Sequence, residues 1–123
     1  MKNGGVLVKI IPMKLISSGD ATSLGEYSGI ARVVLDIAQV FEFKEGEILI
    51  TKNTTPLFNS AMMKSKAMVT EIGGALSHTS IIARELGVPA IVNAKEITTL
   101  IKTGQTITVQ ATEKGGFIYV HED

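Results

Sequence analysis

Gly73-Gly74-Ala75-Leu76-Ser77-His78-Thr79-Ser80-Ile81-Ile82-Ala83-Arg84-Glu85-Leu86-Gly87-Val88-Pro89-Ala90 is the stretch on which the reading of this chain turns. A glycine pair delivers the backbone to a hydroxyl residue, an imidazole and then a periodic apolar segment. The pattern predicts a helix over residues 78–86, with Ser77 as its N-cap and Gly87 and Pro89 as its stop. At about 100° per residue, Ile82, Ala83 and Leu86 define a buried stripe with Ile81 at its edge. His78 falls at the rim of that stripe. One ring edge is then supported by protein while the other faces outward.

That position has electrostatic consequences. The first amides of a helix lack intrahelical acceptors, and the aligned peptide dipoles add positive potential there. The site disfavours an imidazolium and so favours a neutral, nucleophilic ring. If a phosphoryl group is attached, it brings about two negative charges, which the helix terminus stabilises by about 0.3 to 2 kcal/mol. Gly73, Gly74, Ser77, Thr79 and Ser80 are expected to shape the phosphate cradle, with the amides of Thr79 and Ser80 as ligands. A fixed tautomer also needs a partner for the second ring nitrogen. Thr55, Asn59 and Ser60 are the polar candidates on the neighbouring segment. Arg84 lies six residues along the helix, about 9 Å of rise away, so it is assigned with Glu85 to structural pairing or partner docking.

Outward from the motif, residues 5–11, 29–35, 47–51, 66–70, 90–92, 106–110 and 117–120 read as strands. Residues 57–64, 78–86 and 94–102 read as helices, the first opened by Pro56 and the last with Ile97, Leu100 and Ile101 on one stripe. Leu, Phe and Met of the first are read as core packing. The alternation after residue 47 predicts an α/β fold, helices packed on a mixed sheet, with an extra β layer from the first and last thirds. Gly115-Gly116 is read as the turn between the last two strands. No repeat, low-complexity stretch or linker divides the chain, so one domain over residues 1–123 is expected.

Composition excludes several classes. The 123 residues suit one core. Twelve basic and twelve acidic residues cancel, without the basic footprint of a nucleic-acid binder. There is no cysteine, so neither disulfides nor thiolate metal sites are available. The only other histidine, His121, is read as lying in a frayed tail, and no metal-ligand spacing is present. The apolar run at residues 6–11 is too short to span a bilayer and lacks the pattern of a signal peptide. A cytoplasmic protein without membrane contact is expected.

The stretch from Gly73 to Ala90 resembles the phosphohistidine signature of the mobile, or swivelling, domain of phosphoenolpyruvate-utilising enzymes. That family includes phosphoenolpyruvate synthase, pyruvate phosphate dikinase, enzyme I of the sugar phosphotransferase system and rifampicin phosphotransferase. Ser28-Gly29, the Gly46 to Thr51 strand, Thr55-Pro56 and the Ala67 to Glu71 strand resemble further family features. The likeness thus runs from about Gly19 to Val120. It implies a swivelling β/β/α fold and a phosphoryl carrier with His78 as the phosphorylated residue. It also implies partners: an ATP-grasp nucleotide-binding domain or subunit, a phosphoenolpyruvate or pyruvate TIM-barrel domain or subunit, or both, with magnesium at the partner sites and no cofactor on this chain. At this length the chain is expected to perform phosphotransferase half-reactions only.

Leu76 stands where the family often has Thr or Cys, and Ala75 replaces a frequent Arg or polar residue. Leu57, Asn93 and Gln110-Ala111 depart as well. These changes spare the nucleophile and bear on partner identity. The alternative reading is a regulatory or protein-binding module that keeps the fold and is never phosphorylated; a purely structural interaction domain is a further one.

Overall fold

The computed structural model describes residues 12–122. Seven strands lie among the described residues: β1 (Met13–Ser23), β2 (Gly25–Val33), β3 (Ile48–Thr51), β4 (Ala67–Thr70), β5 (Ala90–Val92), β6 (Thr106–Thr112) and β7 (Gly115–His121). The helices are α1 (Ile37–Val40), α2 (Asn59–Lys64) behind a 3-10 turn at Pro56–Phe58, α3 (His78–Leu86) and α4 (Ile97–Leu100). The strands close into a barrel in the order β1-β5-β4-β3-β2-β6-β7. From β2 through β3 and β4 to β5 the pairing is parallel. The remaining pairs are antiparallel. The α/β expectation holds, with the mixed sheet closed on itself.

Strands buried on both faces are continuous apolar runs, as parallel strands flanked by helices require. Alternation then divides their side chains between two cores. Ile48, Ile50, Ala67, Val69 and Ile91 point into the barrel, meeting Ile107, Val109 and Ile118 from the antiparallel side. Leu49, Met68 and Ala90 point the other way, against Ala61, Met62 and Ala83 of the helices. The second core holds α3 in place and carries the motif with it.

A bidentate ion pair ties β2 to the segment entering β3. Arg32 Nε and Nη2 donate to the two Glu47 carboxylate oxygens, each at 2.9 Å. The Lys44 amide adds a bond to the same carboxylate at 2.7 Å. Burial pushes the Glu47 carboxyl up, but the Arg32 hydrogen bond, the Lys44 amide and the nearby positive charges outweigh it and hold it below its ordinary value. The same hydrogen bond raises Arg32.

Several expectations need correction. β1, the longest of the described strands, is not among the expected ones, because its Ser, Gly, Asp and Thr residues hide any alternation. It changes partner midway, pairing with β7 through Gly19 and with β5 from Asp20. α1 is likewise not among the expected helices. The helix expected over 94–102 shrinks to α4, since Asn93 and Glu96 take left-handed backbone angles (φ 58° and 59°). Leu100 is consequently exposed rather than part of a buried stripe. Ahead of α2, Leu57 is exposed, as is Met63 within it; Met62 and Phe58 do the packing. The final turn falls at Glu113-Lys114, with Gly115 and Gly116 already in β7. His121 is no frayed residue: its Nε2 lies 2.7 Å from Thr108 Oγ1. The strand expected at residues 5–11 lies outside the described residues.

Candidate functional site

The loop after β4 leads into α3, which begins at His78 as the capping pattern predicts. Ser77 is the N-cap, extended at φ −69° and ψ 158°, and its hydroxyl accepts the Ser80 amide at 3.4 Å. The Ile81 amide donates to the Ser77 carbonyl at 3.0 Å. Among the described residues no protein acceptor meets the amides of His78 and Thr79. They stand as the free donors of the helix terminus. Gly87 closes the helix in the left-handed conformation (φ 72°), its amide donating to the Ala83 and Arg84 carbonyls.

Gly73 and Gly74 play different parts. Gly73 sits at φ +135°, where a side chain is strained, and an added Cβ would lie 3.2 Å from Ser77 Oγ. Gly74 has open space around it and contributes through its carbonyl, which accepts from the Ser80 hydroxyl at 2.7 Å and from the Ser77 amide at 3.1 Å. Ser80 Oγ also lies 2.7 Å from Thr22 Oγ1 of β1. Ser80 is therefore a fully buried fastener between loop, helix and strand, and its hydroxyl is not available to an anion.

The His78 ring is half-buried, as the rim position requires. Its Nδ1 lies 2.8 Å from Thr54 Oγ1. Thr54 Oγ1 in turn lies 2.8 Å from Thr79 Oγ1. Both threonines are buried, at 4% and 1% exposure. Thr79 thus turns its hydroxyl inward, away from any phosphate cradle. The orienting partner expected among Thr55, Asn59 and Ser60 is Thr54 instead. Thr55 Oγ1 is occupied as the cap of the proline turn, accepting the Leu57 amide at 3.3 Å, while Asn59 and Ser60 are exposed on α2. A signal was present in the sequence. The residue before a proline is extended, so consecutive side chains there point to opposite sides. With Thr55 committed to the cap, its predecessor is the one that faces the neighbouring helix.

Among the described residues Arg84 makes no ion pair of the kind expected of it. Its guanidinium donates to the Thr22 carbonyl at 2.9 Å and to the Ala75 carbonyl. It lashes the motif loop to β1 without a carboxylate partner. Glu85 beside it is exposed. Leu76, two residues before the ring, is the most exposed large apolar side chain described, at 85%. Among the described residues no group of three or more His, Cys, Asp or Glu is arranged to hold a metal ion. No helix there is long and apolar enough to cross a membrane.

Chemically, this is a half-exposed imidazole with one nitrogen held from inside and the other directed outward, beside two unpaired helix amides. Such a site can present a nucleophile and then accommodate the anion it acquires.

Comparison with known proteins places this geometry in context. Residues 43–114, more than half the chain, match the family described as "PEP-utilising enzyme, mobile domain". The chain is 44% identical over 108 residues to the phosphoenolpyruvate synthase of Aquifex aeolicus, covering 87% of this chain and 12% of that protein. It is 41% identical over 118 residues to a probable phosphoenolpyruvate synthase of Staphylothermus marinus, covering 94% and 14%. The chain therefore spans about an eighth of the length of the curated relatives it matches. Among solved structures, that of Enzyme I (nEIt) is similar with a TM-score of 0.57 at 29% identity, over 68% of this chain and 34% of that one. The aconitase X of Thermococcus kodakaraensis aligns with a TM-score of 0.61 over 90% of this chain and 99% of its own. At 16% identity that likeness shows the fold alone.

Proposed function

The chain belongs to the PEP-utilising enzyme mobile-domain family, and from that premise we propose that it is a phosphoryl carrier with His78 as the nucleophile. The carrying observation is the pairing of His78 Nδ1 with the buried Thr54 hydroxyl at 2.8 Å. With Nδ1 turned inward, Nε2 is the nitrogen left to meet a donor. Its lone pair forms the N–P bond, the P–O bond of a phosphoanhydride or enol phosphate breaks, and that electron pair leaves on the departing oxygen. The ring is left positive, with Nδ1–H directed at Thr54 Oγ1. The His78 and Thr79 amides then face the new dianion at the helix terminus. Delivery to an acceptor reverses these bond changes.

Catalysis of this kind depends on positioning and charge neutralisation, and a carrier must meet both stations with one surface. In this proposal the fold is a swivelling β/β/α unit that moves between a nucleotide-binding ATP-grasp site and a phosphoenolpyruvate or pyruvate barrel. Magnesium belongs to those partner sites, and no cofactor is assigned to this chain.

The test supplies radiolabelled phosphoenolpyruvate together with a phosphoenolpyruvate synthase whose own carrier histidine has been replaced. The expected result is an acid-labile, base-stable phosphate mapped to His78 and lost in His78→Ala. Label on another residue, or none while a wild-type mobile domain is labelled under the same conditions, overturns the carrier assignment and favours a non-phosphorylated binding module.

A further inference from the structure

We infer that Leu76 is a docking anchor: it enters an apolar socket that the partner enzyme holds beside its phosphoryl group, and it selects partners by the polarity of that socket. This rests on the carrier reading above and deepens it. Leu76 is 85% exposed and belongs to neither buried core. Packing within the domain therefore does not account for an apolar side chain at this position.

The backbone that carries it is held at several points. Ala75 and Leu76 are the central pair of a turn closed by the Ser77 amide on the Gly74 carbonyl, at 3.1 Å. The same carbonyl accepts the buried Ser80 hydroxyl at 2.7 Å, and Arg84 holds the Ala75 carbonyl. The N-cap and His78 follow at once. Ordering a loose loop on docking weakens affinity, whereas a loop already held in place has little freedom left to lose. Leu76 is thus presented on a fixed support, in constant register with the ring.

What covers it follows from the reaction. Before Nε2 can form its N–P bond, the ring must approach a phosphorus held by another protein to about 3 to 3.5 Å. Two residues of chain reach at most about 7 Å, so Leu76 lies inside that contact whenever the phosphoryl group moves. Ile81, a helix neighbour of His78 on its other side, is exposed as well. A polar wall facing Leu76 would be stripped of water with no hydrogen bond in return. An apolar wall gains the buried area. Excluding water there also strengthens the attraction between the helix amides and the dianion.

The experiment uses two phosphoenolpyruvate synthases, each with its own carrier histidine replaced. One has leucine two residues before that histidine in its own mobile domain, and the other has threonine there. The full chain is supplied as wild type, Leu76→Met, Leu76→Thr and Leu15→Ser. Labelling from radiolabelled phosphoenolpyruvate is followed, and binding without phosphoenolpyruvate is measured by fluorescence anisotropy. With the leucine-type partner, Leu76→Thr should lower kcat/KM roughly 10- to 100-fold, the range for losing a buried leucine side chain. The loss should lie in KM, because docking contacts act equally on ground and transition states. Leu76→Met should stay within about tenfold of the wild type. With the threonine-type partner Leu76→Thr should instead exceed the wild type. Leu15→Ser, exposed on the half of β1 that pairs with β7, should match the wild type with both.

Equal labelling of the wild type and Leu76→Thr by the leucine-type partner, or the same ranking with both partners, overturns the inference and leaves the carrier reading standing. Self-association of the wild type in sedimentation, abolished in Leu76→Thr, overturns it too, by making a second copy of the chain the occupant. Reversed rankings in the binding titrations with no phosphate on any variant sink the carrier reading and leave the anchor. Absence of binding to either partner sinks the anchor.

Discussion

Thr54 Oγ1 lies 2.8 Å from His78 Nδ1, across 24 residues of chain and between two different elements. The contact joins the segment after β3 to the first residue of α3, so tertiary packing sets the ring's orientation. Replacing Thr54 with valine keeps the shape and removes the hydroxyl. Labelling of His78 by phosphoenolpyruvate through a partner enzyme should then slow by roughly 10- to 100-fold, by analogy with the loss of groups that orient metal-ligating histidines. Thr54→Ser should recover most of the rate.

Arg84 holds the motif loop to β1 through the carbonyls of Ala75 and Thr22. Charge-assisted bonds of this kind are the stronger ones, but the side chain is exposed, which weakens them. Arg84→Ala should lower stability by about 1 to 2 kcal/mol in urea denaturation. It should also slow labelling of His78 by loosening the loop. Lysine cannot span both carbonyls and should restore only part of either effect.

Gly73 and Leu76 are three residues apart and should behave oppositely. Gly73→Ala forces a side chain into φ +135° and pushes against Ser77 Oγ, which should cost about 1 to 3 kcal/mol and disturb the N-cap. Leu76 is 85% exposed, so Leu76→Ser should change stability by no more than about 0.5 kcal/mol. Thermal or urea unfolding of the two variants side by side checks both.

The Arg32–Glu47 pair gives the fold an acid limb. The folded-state pKa of Glu47 is depressed, so the pair's contribution is full above the unfolded carboxylate value and is lost as pH falls through the lower, folded one. Arg32 stays charged throughout and adds no slope of its own. Glu47→Gln should lower stability at neutral pH by about 3 kcal/mol, since it leaves a half-buried guanidinium without its countercharge. It should also flatten the decline toward acid. Urea midpoints measured from neutral to acid pH test the sign: a wild-type slope unchanged by the substitution contradicts it.

Local signals made much of the site legible. Ser77, the apolar spacing of Ile82, Ala83 and Leu86, and the Gly87 stop located α3 at residues 78–86, because capping and helical periodicity act within a few residues. The parallel strands were legible for a similar reason: Ile48-Leu49-Ile50 and Ala67-Met68-Val69 are apolar on both faces. β1 was not. Its residues take extended form because β7 and β5 supply the missing ladder on either half, and polar strand residues carry no periodic mark of that rescue.

Neighbouring residues alone place an imidazole at the opening of a capped helix on the rim of a buried stripe, since helix propensity, capping and amphipathic spacing are local properties. What holds that imidazole follows from long-range packing. Thr54 meets His78 and Thr79, and Thr22 meets Ser80 and Arg84, because barrel closure and the second core bring separate segments within hydrogen-bonding distance. A hydrogen bond is directional and short-ranged, so its partner is chosen by where the whole chain packs rather than by the residues on either side.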